Sequence, residues 1–123
     1  DSKATNVDAV KRALACFEEP VVLIMGGLNK KGDFRRLKTQ VRRRVKTLVA
    51  VGQARDEITT ALAGDPEKGI LEADSLEEAV EKAFGAAAEG DTVLLSPACA
   101  SFDMFASYAR RGERFRQIVE RLR

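Results

Sequence analysis

An uninterrupted run of five apolar residues at positions 21–25 (VVLIM) is followed directly by Gly26 and Gly27. A strand that faces water on one side alternates apolar and polar residues, whereas a strand covered on both faces is apolar throughout. The β-branched residues of the run and the glycines that close it predict a strand rather than a helical segment. The chain is therefore expected to form a sheet with helices on both faces, in which this run is a central parallel strand.

Helical and strand patterns alternate along the rest of the chain. The predicted helices carry apolar stripes at Val7, Val10, Leu14 and Phe17, at Leu37, Val41 and Val45, within roughly 54–63, at Leu76, Val80, Phe84 and Ala87, and at Phe115, Ile118, Val119 and Leu122. The further predicted strands are 47–52, 70–71 and 92–95. Strands separated by helices indicate right-handed crossovers. The expected fold is α/β, a three-layer Rossmann-like domain with a mostly parallel sheet flanked by helices, as a single domain over residues 1–123.

Structural roles are the expected or alternative interpretation for several side chains. Ser75 and Glu78 have the spacing of a capping box, Asn6 is a candidate N-cap, and Asp33 either caps the following helix or binds a ligand. Five phenylalanines are predicted to lie in the core: Phe17, Phe34, Phe84, Phe105 and Phe115. Cys99 is expected to be a small buried residue rather than a nucleophile, because no histidine is present to activate it.

Composition excludes several classes of protein. The chain is 45% hydrophobic and 33% charged, which is typical of a globular domain. It has no apolar run of membrane-spanning length and no signal-peptide pattern, so a cytoplasmic location is expected. Histidine is absent, and Cys16 and Cys99 are far apart in sequence. Structural zinc and histidine-based catalysis are therefore not expected, and no metal ligand is assigned in this domain.

The net charge of +2 conceals an uneven distribution, because seven of the 21 basic residues lie between Arg35 and Lys46. A basic helix of this kind is able to contact nucleic acid or phosphate. It lacks interleaved aromatic residues, however, and has its own apolar stripe. A solvated or domain-contacting basic face is the favoured interpretation, and nucleic-acid binding by residues 35–46 is the alternative.

Candidate ligand-binding groups follow the first and last predicted strands. In a parallel sheet the carboxyl ends of the strands lie at one edge, where ligands bind in open α/β folds. Residues 26–30 (GGLNK) and 96–101 (SPACAS) are expected at that edge. Lys30, the hydroxyls of Ser96 and Ser101, and free amides at a helix start are anion-binding groups. Either serine could instead cap the following helix. Thr5, which adjoins Asn6, also carries a hydroxyl, and it could be no more than part of the Asn6 cap.

The expected site lacks two kinds of machinery. No side chain at this edge is suited to be a general base, so no catalytic residue is assigned to this domain. The sequence also has no GxxxxGK[ST] phosphate loop, and Gly26-Gly27 is a poor dinucleotide-binding fingerprint. The chain is not expected to bind ATP by itself, and its polar opening, DSKATN, suggests a domain cut from a longer polypeptide.

Three stretches together resemble the C-terminal domain of the Mur ligases, in the branch that adds D-glutamate. They are DSKATN at 1–6, GGLNKKGDF at 26–34, and residues 94–105 together with RGERF at 111–115. The resemblance covers essentially the whole chain. It implies an ATP-dependent amide-bond ligase of peptidoglycan synthesis, which activates the carboxylate of UDP-N-acetylmuramoyl-L-alanine as an acyl phosphate that the amine of D-glutamate attacks.

The resemblance also implies a division of labour among three domains. The N-terminal domain of such a ligase holds the uridine nucleotide, and the central domain carries the ATP phosphate loop, the Mg²⁺ ligands and a modified lysine. This chain would be the third domain, with no cofactor bound by itself, and it is expected to be folded but catalytically inert in isolation. Neither a membrane nor a nucleic acid is an expected partner.

Site residues follow from the resemblance position by position. Thr5, Lys30, Ser101 and the backbone amide of Phe102 would hold the D-glutamate carboxylates, and Tyr108 would supply an aromatic ring. Asp1 and Lys3 would face the nucleotide and its phosphates. Lys31 stands where the family usually has glycine or serine, so either lysine could be the ligand, and Lys30 is favoured because it aligns with the motif. A small-ligand-binding or signalling α/β module remains an alternative, although Gly26-Gly27 does not supply the clustered acids of a phosphoacceptor.

Overall fold

The computed structural model describes residues 7–17, 21–27, 33–62, 69–88, 91–98 and 108–122. Within these residues the strands are β1 (Val21–Gly26), β2 (Val45–Val51), β3 (Gly69–Ala73) and β4 (Thr92–Ala98). The helices are α1 (Val7–Ala15), α2 (Lys38–Arg44), α3 (Arg55–Leu62), α4 (Leu76–Ala86) and α5 (Tyr108–Leu122), and a 3₁₀ helix, Phe34–Leu37, leads directly into α2. The alternation of strands and helices that the sequence predicts is confirmed.

The sheet has the strand order β3-β2-β1-β4, and all of its pairings are parallel. Every side chain of β1 is buried, as expected for a strand covered on both faces. Removing a side chain such as Leu23 or Ile24 from water stabilises the fold by roughly 1.5–3 kcal/mol. The prediction that residues 21–25 form a central parallel strand is therefore confirmed.

Two apolar clusters cover the two faces of the sheet. Leu23 of β1 belongs to the first cluster, together with side chains from α1, the 3₁₀ helix, α2 and α3. Its neighbour Ile24 belongs to the second cluster, together with side chains from α4 and α5. This alternation along a single strand divides the molecule into helix, sheet and helix layers, which confirms the three-layer architecture.

Several predicted boundaries are corrected. The basic segment, expected as one helix over 35–46, is a 3₁₀ helix followed by α2, and α2 ends at Arg44 because Val45 pairs with Val21 in the sheet. The third strand extends to Ala73 rather than being limited to residues 70–71. The fourth strand continues beyond residue 95 to Ala98, so the backbone of Ser96 belongs to β4 rather than to a helix cap.

The predictions for the phenylalanines are partly confirmed. Phe34 is buried, and the half-buried Phe17 and Phe115 pack against the two clusters. Phe84 was expected in the core and is 37% exposed, because α4 buries Ala79, Val80 and Ala83 instead. Phe105 lies outside the described residues, as do Cys99 and Asn6.

Candidate functional site

The strand order places a topological switch point between β1 and β4. After β1 the chain crosses to the face covered by α2, and after β4 it crosses to the face covered by α5. Chains that leave neighbouring strands toward opposite faces open a crevice at the carboxyl ends of those strands, which is where open α/β sheets bind ligands. Gly26 of β1 pairs with Ala98 of β4. The last paired residues of the two strands therefore mark the position of the candidate site.

The end of β1 is held backbone to backbone against β2. Gly26 has φ +150°, Gly27 has φ +130°, and both are buried. The Gly27 amide donates to the Val51 carbonyl oxygen at 3.1 Å, and the Gly27 carbonyl accepts from the Ala54 amide at 2.8 Å. A side chain at Gly26 would collide with the Val51 carbonyl. The two glycines therefore allow the chain to leave the sheet edge along a path that residues with a β-carbon rarely follow.

Asp33 fixes the other end of the segment that begins after Gly27. Its carboxylate accepts from the Arg35 amide at 3.1 Å and receives two further bonds from the Arg35 guanidinium, at 3.0 and 3.1 Å. These bonds, with the positive charges of Arg35 and Arg36, lower the pKa of Asp33. Asp33 is thus the N-cap of the 3₁₀ helix, one of the two roles that the sequence left open.

A buried arginine joins α5 to the same sheet edge. Arg111 is 1% exposed, and its Nη1 donates to the Gly26 carbonyl oxygen at 3.4 Å. Arg111 belongs to the RGERF stretch at 111–115, and the sequence predicted no role for its side chain. Its spacing nevertheless indicates burial. Arg111 precedes Phe115 by four residues and Ile118 by seven, which places it on the apolar stripe of α5.

Ion pairs tie together the loops that follow β2 and β3. The Arg55 guanidinium, at the start of α3, pairs with Asp74 and lies 3.8 Å from the Glu72 carboxylate. The hydrogen bond that the Arg55 guanidinium donates to the Asp74 carboxylate is the largest cause of the raised pKa of Arg55. These residues brace the half of the sheet edge that lies away from the β1/β4 switch point.

An open groove with a volume of about 500 Å³ runs between the 3₁₀ helix and α3. Its lining residues are Asp33, Phe34, Arg35, Lys38, Asp56, Glu57, Thr60 and Ala61. The groove contains charges of both signs, and no pattern in the sequence predicted it.

The basic segment has an exposed face of charged side chains and a buried stripe of apolar ones. Leu37 and Val41 are buried, whereas Arg35, Arg36, Lys38, Arg42 and Arg43 are exposed. Arg44 folds back and donates to the Phe17 carbonyl, and Lys46 lies on β2, 2.7 Å from Asp91. This arrangement agrees with the solvated or domain-contacting face that the sequence favoured.

Most of the predicted ligand-binding residues lie outside the described part of the chain. These are Asp1, Lys3, Thr5, Lys30, Ser101 and Phe102. Lys31, the alternative to Lys30, lies outside it as well. The backbone of Tyr108 begins α5, and its side chain lies outside the described part. The assignments to D-glutamate and to the nucleotide therefore remain predictions, whereas the strands and caps that border these segments are described.

Within the described ranges, no three acidic or cysteine side chains come together in an arrangement that could hold a metal ion. Within the same ranges, none of the helices combines the length and apolarity needed to cross a membrane.

The fold and the switch point define a class, that of open α/β domains that bind a ligand beyond the carboxyl ends of parallel strands. The chain belongs to the Mur ligase family, since residues 1–99 match the family's glutamate ligase domain ("Mur ligase, glutamate ligase domain").

Curated relatives agree with this membership along the whole chain. The UDP-N-acetylmuramoylalanine--D-glutamate ligase of Desulfitobacterium hafniense (strain Y51) is 50% identical over 121 residues, which are 98% of this chain and 27% of that protein. The ligase of the same name from Desulfatibacillum aliphaticivorans is 50% identical over 122 residues, 99% of this chain and 27% of that protein. The corresponding protein of Salinibacter ruber is 47% identical over 123 residues, 99% of this chain and 26% of that protein. The chain thus spans about a quarter of the length of these relatives.

Proposed function

We propose that this chain is the amino-acid-binding C-terminal domain of an ATP-dependent ligase that joins D-glutamate to UDP-N-acetylmuramoyl-L-alanine in peptidoglycan synthesis. The observation that carries the proposal is the identity of about 50% with ligases of that name over nearly the whole chain. The sheet supports it, because β1 and β4 end side by side at a switch point. A small amino acid could be held there between two segments of the chain.

The proposed ligand is a dicarboxylate with one amine, so the domain must present two groups of hydrogen-bond donors. Lys30 would supply a flexible cation from the segment after β1, and Ser101 with the Phe102 amide would supply donors from the segment after β4. Thr5 would add a third donor, and the ring of Tyr108 would border the ligand. Charge-assisted hydrogen bonds of this kind contribute about 1.5–3 kcal/mol each.

In this proposal the domain contributes position rather than acid–base chemistry. The amine of D-glutamate attacks an acyl phosphate that forms on the muramoyl-alanine carboxylate when ATP gives up its γ-phosphoryl group. The new amide bond forms as inorganic phosphate leaves. Asp1 and Lys3 would face the nucleotide and its phosphates. The ATP loop and the Mg²⁺ ligands belong to the other domains of the ligase, where Mg²⁺ would neutralise phosphate charge.

In this proposal the reaction needs the domain even though it supplies no catalytic residue, because the domain places the amine of D-glutamate for attack. Holding two reactants in attack geometry replaces a bimolecular step by one that is effectively unimolecular. A displacement of about 1 Å can cost about 100-fold in rate. The pairing of β1 with β4 and the Asp33 cap of the 3₁₀ helix support this role, because a precise site needs a well-defined border.

The test is a phosphate-release assay on the full-length ligase that contains this chain. With UDP-N-acetylmuramoyl-L-alanine and ATP present, phosphate release should rise to saturation with D-glutamate and should not respond to L-glutamate. The 123-residue chain alone, under the same conditions, should release no phosphate. Release by the full-length protein that is independent of D-glutamate would contradict the proposed substrate. Release by the isolated chain would contradict the assignment of catalysis to the other domains.

A further inference from the structure

Arg111 is the one charged side chain that is buried in the described part of the molecule, and it is also the largest of the fully buried side chains there. A guanidinium loses its hydration on burial, so such groups are found where polar atoms of the protein compensate them. The Gly26 carbonyl oxygen accepts a hydrogen bond from Nη1 of Arg111 at 3.4 Å. A methionine or leucine would fill the same space without that cost, so packing alone does not explain an arginine here.

The place of this contact in the chain is informative. Gly26 is the last residue of β1, and the segment that carries Lys30 begins two residues later. Arg111 is in the first turn of α5, three residues after Tyr108, and α5 follows the segment that carries Ser101 and Phe102. The hydrogen bond therefore joins a residue just before the first proposed ligand-binding segment to a residue just after the second, across 85 residues of sequence.

Gly26 is itself a fixed point. It pairs with Val51 on one side and with Ala98 on the other, and its φ of +150° leaves no room for a side chain next to Val51. A hydrogen bond to this carbonyl holds the start of α5 against constrained backbone at the carboxyl edge of the sheet. A hydrogen bond to a mobile loop would not fix the distance between β1 and α5.

We propose that Arg111 is a positioning residue for D-glutamate, which fixes the distance between the end of β1 and the start of α5 through its contact with the Gly26 carbonyl. This inference rests on the proposed function, because it assumes that both segments hold that substrate. Arg111 touches neither the substrate nor the reacting atoms in this role. Its loss should weaken the use of D-glutamate selectively. The binding of the other two substrates should be unaltered, because it depends mainly on the other domains and, in this chain, on Asp1 and Lys3.

The test compares two variants of Arg111 with a matched control in the full-length ligase. Arg111→Met removes the hydrogen-bond donor and keeps an apolar side chain of similar length. Arg111→Lys keeps a cation that can reach the carbonyl but lacks the planar fork of the guanidinium. Arg116→Met changes an exposed arginine on the same helix in the same way. For each protein, KM values for the three substrates, kcat and Tm are measured.

For Arg111→Met we expect the KM for D-glutamate to rise at least about 10-fold, because displaced donors lose charge-assisted hydrogen bonds to its carboxylates. The KM values for ATP and for the uridine nucleotide should be unchanged. Arg111→Lys should lie between the wild type and Arg111→Met, and Arg116→Met should match the wild type. If Arg111→Met does not fold, Arg111→Lys tests the inference instead. Its KM for D-glutamate should then be several-fold above that of the wild type.

A purely structural role would give a different pattern. The variants would then show a lower Tm and a lower kcat from a smaller active fraction, with an unchanged KM for D-glutamate, and that result would overturn the inference. An equal rise in all three KM values would also overturn it. The wild-type enzyme separates the two proposals, because a wild type that does not depend on D-glutamate refutes the proposed function, whereas failure of the variants alone refutes only the role of Arg111.

Discussion

A β-carbon placed on Gly26 would lie 1.8 Å from the carbonyl oxygen of Val51, so β1 and β2 meet backbone to backbone at their carboxyl ends. No rotation of a side chain can relieve that overlap, because the obstructing atom belongs to the backbone. The close approach, together with the positive φ of Gly26 and Gly27, gives the sheet edge a shape that depends on glycine.

Gly26→Ala should therefore destabilise the chain by roughly 3 kcal/mol, since it adds the strain of a positive φ to a displacement of β2. The free energy of unfolding of the 123-residue chain, from urea denaturation, measures this effect. Gly85→Ala is the matched control, because a β-carbon on Gly85 meets nothing within 4 Å and Gly85 lies in α4. This second variant should be more stable than the wild type by about 0.5 kcal/mol. Equal stability of the two variants would contradict the close approach.

The N-cap of α4 gives a second test. The Ser75 hydroxyl accepts from the Glu78 amide at 3.1 Å, as the sequence predicts. The reciprocal half of the predicted capping box is wrong, because the Glu78 carboxylate lies 3.2 Å from the Lys82 ammonium instead. Ser75→Ala should lower the free energy of unfolding by about 1 kcal/mol, and Ser75→Asp should keep the stability close to that of the wild type. Urea midpoints provide the comparison, and no loss in the alanine variant would show that this cap contributes nothing.

Asp91 should make the stability of the chain sensitive to acid. Its carboxylate accepts from the Lys46 ammonium and from the Ala88 amide, each at 2.7 Å, and these bonds lower the pKa of Asp91. A carboxyl group with a lowered folded pKa stabilises the fold above its unfolded pKa of about 3.9, and this contribution is lost as the pH falls through the folded pKa. Asp91→Asn should therefore lose less Tm than the wild type between neutral pH and pH of about 3.

A matched control for Asp91 is Asp56→Asn, which changes a carboxylate whose side chain is 87% exposed. The Tm of this variant should follow the wild type across the same pH range. Parallel curves for the wild type and Asp91→Asn would mean that the pair formed by Lys46 and Asp91 contributes no acid-dependent stability.

The sequence predicted the elements of the fold well because burial on both faces leaves a clear pattern in it. The apolar run of β1 and the alternation of strands and helices are local signals of the layered architecture. Boundaries were less predictable where pairing between distant segments decides them. Val45 continues the helical stripe of the basic segment, yet it belongs to β2 because Val21 pairs with it.

The core of α4 shows a different limit. Hydrophobicity favours Phe84 as a core residue, but the helix packs on the sheet through Ala79 and Ala83. Small side chains allow a helix to approach a sheet closely, and a pattern of apolar residues does not distinguish a close face from a bulky one. The exposure of Phe84 is therefore a result of three-dimensional packing that periodicity could not supply.

For the candidate site, the sequence predicted the sheet edge and the two segments that border it, since parallel strands end at one edge. It did not predict the burial of Arg111 or its contact with Gly26, because the partner of a charged residue on an apolar stripe is known only once the fold brings the two together. The signal that could have identified Arg111 is a charged residue at a position where the helix pattern predicts a buried apolar one.

The choice between the two neighbouring lysines is the sharpest test of the site itself. In the full-length ligase, Lys30→Ala should raise the KM for D-glutamate, because the carboxylate of the substrate loses a charge-assisted hydrogen bond worth about 1.5–3 kcal/mol, or roughly 10- to 150-fold. Lys31→Ala is the matched control, since it removes the same charge one residue away and should change that KM by less than about twofold. Initial rates at saturating ATP and uridine nucleotide, with D-glutamate varied, give both values.

The same pair of variants also tests the alternative assignment. A rise in the KM for D-glutamate in Lys31→Ala, with no change in Lys30→Ala, would transfer the ligand role to Lys31 and keep the proposed site. Unchanged values in both variants would remove the segment after β1 from the D-glutamate site. Salt dependence distinguishes a direct contact from a long-range effect of charge, since a distant lysine loses its influence as ionic strength rises, whereas a lysine in contact with the carboxylate is screened much less.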